Sequence, residues 1–96
     1  MTNIQLLLLA TNNFNASAPL SHTHASYVYQ FYYAQIAHKQ LKLNDFMKGF
    51  IEQVEPILKN NSDLYDRRDE IYQLIQSYLQ QAETRFIQRK MQINKE

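Results

Sequence analysis

The residues with the most specific potential chemistry are three histidines: His22 and His24, separated by Thr23, and His38. Imidazoles two positions apart share a face in a strand and could chelate a metal there, but in a helix they point apart. His38 falls near the His24 face of such a helix, yet roughly 20 Å further along its axis. The three therefore do not converge, and no metal site is expected.

The acidic run "SDLYDRRDE" at 62–70 offers carboxylates, but it has neither the ligand spacing of a calcium loop nor its glycine. Asp63 and Asp66 suit the positive end of a helix, and Asp63 stands four residues before Arg67, a stabilising spacing. The basic run "RFIQRKMQINK" at 85–95 is the best nucleic-acid signal. Gln81, Arg85, Gln88, Arg89 and Gln92 would form one side able to meet phosphates and base edges, with Lys90 and Lys95 adding charge. The same cations also complement the negative end of a helix, and no helix-turn-helix glycine accompanies them.

Catalysis finds no support. The chain has no cysteine, no glycine-rich phosphate loop, and no Ser, His and acid set whose spacing implies convergence. A non-enzymatic protein without a cofactor is expected. Its net charge of +1 and 20% charged residues provide no general attraction to nucleic acid or to an anionic membrane.

The elements that position these residues read as helices. One glycine and two prolines in 96 residues argue against hairpins, whose tight turns usually need such residues. The expected fold is all-α, a single domain over 1–96 forming a small bundle of three to four helices with a long C-terminal one. The predicted helices span about 3–10, 22–41, 45–59 and 63–93. Ser21 or Thr23 caps the second and Asn44 the third, while Pro56 should end or kink the third near Glu55. "MTNIQLLLLATNNFNASAP" imitates a signal peptide but lacks a basic start, so a cytoplasmic protein is expected, and no run is long enough to span a bilayer.

The third and fourth predicted helices each bury one side, with Phe50, Val54 and Leu58 in the former and Ile71, Ile75, Leu79 and Phe86 in the latter. The second differs. Its aromatic run "YVYQFYY" at 27–33 alternates like a strand, but the helix-forming continuation "AQIAHKQLKL" and the lack of a pairing edge favour a helix. That helix would carry two apolar stripes: Ala25, Val28, Tyr29, Tyr32 and Ile36 on one side, and Tyr27, Phe31, Ala34, His38 and Leu41 nearly opposite. Either the segment Leu6 to Leu9 covers the second stripe, with His38 half-buried against Tyr27 and Phe31, or a partner does.

A helix of about thirty residues spans about 45 Å, more than the roughly 32 Å expected across a compact chain of this size. Its end should project, or pair with a second copy through Phe86, Ile87, Met91 and Ile93. The leading expectation is therefore protein–protein interaction or a homodimer, through Tyr27, Phe31, Tyr33, His38 and Phe86. The alternative is a nucleic-acid binder using Arg85, Arg89, Lys90 and Lys95. By analogy alone, a small Asn- and Gln-rich chain of this kind suits a bacterial or phage accessory factor, such as an immunity protein or an inhibitor of a larger enzyme.

Overall fold

The computed structural model describes residues 1–16 and 19–94, with side chains described for 1–14 and 19–92. The fold is all-α, and no strand occurs among the described residues. In chain order it comprises α1 (Asn3–Ala16), α2 (His22–Tyr32) continued by a π-helical turn (Tyr33–Ala37), α3 (Leu43–Leu58), a short α4 (Ser62–Asp66) and a long α5 (Arg68–Asn94).

Helix starts follow short polar side chains. Ser21 Oγ accepts from the His24 amide at 3.2 Å and Asn61 Oδ1 from the Leu64 amide at 3.2 Å, each satisfying a donor that the first turn leaves free. The expected cap at Asn44 is not used. Helix α3 begins at Leu43 after an extended Lys42, with no side-chain cap, because Leu43 is drawn into the core at 9% exposure. Pro56 does not end α3, which runs on to Leu58. It stands near the C-terminus, where the lost bond falls to the carbonyl of solvent-exposed Glu52, and Leu58 beyond it is buried.

Helix α1 is longer than its composition predicts, continuing through "TNNFNA". Thr11 Oγ1 bonds back to the Leu8 carbonyl at 3.0 Å, Asn13 Nδ2 donates to the Tyr78 hydroxyl at 3.3 Å, and Phe14 packs against the core. Tertiary partners outweigh the weak helix propensity of Asn and Thr. The predicted last helix is broken at Arg67, whose backbone (φ −109°, ψ 22°) leaves the helical region between α4 and α5. Arg67 consequently pairs forward with Glu70 at 2.9 Å, not back with Asp63, and its guanidinium lies 4.1 Å from the centre of the Phe14 ring.

One continuous core joins all the long helices: Leu6, Leu7, Leu9 and Ala10 of α1, Val28, Phe31 and Tyr32 of α2, Phe50, Val54 and Leu58 of α3, and Ile71, Ile75, Leu79 and Ala82 of α5. Helix α2 runs in the same direction as α5. Ala25 and Val28 lie beside Tyr78, Gln81 and Ala82, and Tyr32 and Tyr33 beside Phe86. Past Phe86, α5 continues for two more turns, and the molecule is elongated, with a 52 Å long axis and a radius of gyration of 14.1 Å. No helix among the described residues is long and apolar enough to cross a membrane.

Candidate functional site

The two stripes expected on the second helix resolve into one buried side and one open one. Val28, Phe31, Tyr32 and Ile36 are buried at 5% exposure or less, so Phe31 crosses from the second stripe into the core. It meets Phe46 of α3 edge to face, with ring centroids 5.7 Å apart at 76°. Tyr27, one turn earlier and about 40° around the helix, clears that cover and is 49% exposed.

Downstream, the π turn changes the register. The His38 amide donates to the Tyr33 carbonyl at 2.8 Å, an i to i+5 bond that takes one more residue per turn than an α-helix. In an α-helix, residues five apart point about 140° apart. The π turn brings His38 round onto Tyr33, where the rings stack at 6.4 Å and 28°. His38 is therefore exposed beside Tyr33, not half-buried among Tyr27 and Phe31, and Tyr33 also contacts Phe86 at 6.1 Å. The segment closes with bonds from Gln40 to Ala37 (3.0 Å) and Leu41 to Ile36 (3.0 Å), with Gln40 at φ 56° in the position that usually holds glycine.

The expected partner-binding residues thus divide among five places. Tyr33, His38 and Phe86 come together at the end of the π turn. Phe31 is in the core. Arg85 and Arg89 both reach the Tyr29 ring, their guanidinium carbons 4.6 and 5.2 Å from its centre. Lys90 is exposed on the projecting part of α5. Lys95 and the side chain of Ile93 lie outside the described residues. Two cations of the basic run thus pack α5 against α2 while remaining exposed.

Tyr27 stands apart, on a groove of about 430 Å³ between α1 and α2. Leu8 and Leu9 of α1, Tyr27 of α2 and Met1 form its apolar lining, and Gln5, Asn12 and His24 supply its polar atoms. Leu6, Leu7, Leu9 and Ala10 are buried, so α1 turns most of its leucines inward; Leu8 is 54% exposed and Ile4, one turn earlier, 52%. Helix α1 is thus beside Tyr27 without covering it, and the two helices hold a row of half-exposed large apolar side chains around a concave surface.

Sequence reasoning set the Leu6 to Leu9 segment beside Tyr27 as its possible cover but did not anticipate that Leu8 stays exposed or that a groove opens between them. A signal was present: all ten basic and all nine acidic residues stand at or after Lys39, leaving both groove helices without a formal charge.

Two buried phenols are perturbed. Burial, followed by the neighbouring Glu83 carboxylate, raises the Tyr32 hydroxyl above its ordinary pKa, and burial, followed by Glu55, does the same for Tyr72. The Tyr72 hydroxyl also has no hydrogen-bond partner. Neither group lines the groove, and no cluster of three His, Cys, Asp or Glu suited to a metal occurs among the described residues.

No protein-family model matches this sequence, and no curated protein or solved structure shows significant similarity to it.

Proposed function

We infer that this chain is a non-enzymatic binding protein, a small helical bundle whose α1/α2 groove docks another polypeptide. The observation that carries this reading is the groove itself, with Leu8 at 54% and Tyr27 at 49% exposure facing one concavity of about 430 Å³. Contiguous half-exposed apolar side chains are uncommon on small proteins and mark interaction surfaces. An exposed tyrosine beside a leucine is the type of anchor that yields large contact area at little conformational cost. The mode is helix-in-groove, in which α1 and α2 receive a third amphipathic element and Gln5, Asn12 and His24 hydrogen-bond its polar edge. Such a protein acts by occupancy, as inhibitors and immunity factors do.

The alternative, a nucleic-acid binder using Arg85, Arg89, Lys90 and Lys95, would need the first two to meet phosphates while they also contact Tyr29. A photoreactive amino acid placed singly at Leu8, Tyr27 or the remote exposed Gln80 tests the docking reading. Covalent adducts with a polypeptide are expected from positions 8 and 27. Adducts from position 80 alone, or none, would remove the groove as the docking surface.

A further inference from the structure

A second concavity lies between α2 and α5 and shares no lining residue with the α1/α2 groove. Helix α2 gives it Ala25, Val28 and Tyr29, and α5 gives it Tyr78, Ala82 and Arg85, each set on one face at helical spacing. Both helices present an alanine here, whose side chain ends at Cβ, and a space of about 180 Å³ stays open. Val28, Tyr78 and Ala82 are 5% exposed or less, so the inner wall is apolar.

Arg85 is the one charged residue among the described residues that line this cavity. Its guanidinium carbon lies 4.6 Å from the centre of the Tyr29 ring, a contact made through charge that takes up none of its N–H groups as ordinary hydrogen bonds. No carboxylate answers it. The one ion pair among the described residues joins Arg67 to Glu70, and Glu83, two positions before Arg85, neighbours the Tyr32 hydroxyl. Arg89 reaches the same Tyr29 ring at 5.2 Å and adds positive charge on the open side.

We propose that this cavity binds a small apolar monocarboxylate, its ring or short branched chain against Val28, Tyr29 and Ala82 and its carboxylate on Arg85. Size sets the apolar part. A void of about 150 Å³ takes up benzene, so one ring or a short branched chain fits and a long acyl chain does not. Charge sets the head group. A guanidinium pairs with a carboxylate through two parallel N–H bonds, and a single cation in the lining matches a single negative charge. Apolar walls with one placed polar group are the usual make-up of a small-ligand site.

Titration of the full chain with benzoate, phenylacetate and isovalerate, followed in amide NMR spectra to about 10 mM, is the test. At least one acid should saturably shift the Ala25, Val28, Ala82 and Arg85 amides with a dissociation constant below about 1 mM. Acetate, which lacks the apolar part, and phenylacetamide, which lacks the charge, should bind at least about tenfold more weakly. Arg85→Gln should weaken binding about tenfold or more. Arg89→Gln removes a contact with the same ring but no lining residue, and should change it less than about threefold. Ala25→Leu, at a half-buried helical position, fills the space and should abolish binding while leaving far-ultraviolet circular dichroism unchanged. The absence of saturable shifts with all three acids overturns the proposal. So does phenylacetamide binding as tightly as phenylacetate, an equal loss in Arg85→Gln and Arg89→Gln, or binding that survives Ala25→Leu.

Discussion

The contacts of Arg85 and Arg89 with Tyr29 provide a quantitative test of whether these two cations contribute to the fold. At 4.6 and 5.2 Å from the ring centre, both guanidiniums are within cation–π range. Each contact at a partly exposed site contributes about 0.5–1 kcal/mol. Tyr29→Leu, which keeps apolar volume and removes the ring, should therefore cost about 1–2 kcal/mol, a fall in Tm of about 4–16 °C for a chain of this length. Tyr29→Phe keeps the ring and should stay within about 0.5 kcal/mol of the parent. Urea unfolding of Tyr29→Leu, Arg85→Gln, Arg89→Gln and the two double variants completes the cycles. Coupling below about 0.3 kcal/mol for both pairs, or a Phe variant as costly as Leu, would refute a stabilising role for these two contacts.

Three other outcomes follow from local geometry. Gly49 is exposed within α3, and a Cβ built there meets nothing within 4 Å, so Gly49→Ala should stabilise by about 0.5–1 kcal/mol, seen as a higher denaturant midpoint. Gln40 holds φ 56°, and Gln40→Gly should raise Tm, because the cost of the left-handed conformation, about 1–2 kcal/mol, outweighs the added freedom of the unfolded chain. The raised pKa of Tyr32 and Tyr72 contributes stability that is complete below the unfolded value of about 10. It is lost as pH rises above that value, because the unfolded phenols ionise first. Urea midpoints should therefore fall above about pH 10 and fall less in the Tyr32→Phe, Tyr72→Phe double variant, while Tyr72→Phe alone should be neutral or stabilising near pH 7 because it removes an unpartnered buried hydroxyl.

Much of the fold was legible because it is local. Ile71, Ile75 and Leu79 recur at helical spacing on α5, and Phe50, Val54 and Leu58 on α3; all six are buried at 2% exposure or less. A 3.6-residue period needs no knowledge of what lies opposite to show which side is apolar. The Ser21 cap is likewise a bond within four residues. Even the uncharged groove helices are written in the sequence, as the absence of any Asp, Glu, Lys or Arg before Lys39.

Tertiary structure decided what periodicity leaves equivalent. Tyr27 and Phe31 share a stripe by spacing, yet Phe46 covers one ring and an open groove receives the other. The 40° drift between them has meaning only once α3 is in place. His38 was assigned to that stripe on α-helical geometry, and the extra residue of the π turn moved it onto Tyr33. Arg85 and Arg89 read as free cations until α2 brought the Tyr29 ring, 56 and 60 positions earlier in the chain, within reach of both. The sequence by itself determined the helices and their apolar sides, because those follow from bonds and side chains a few residues apart. Which half-apolar positions remain open to a partner depended on how far each neighbouring helix reaches, and that distance exists only in the folded molecule.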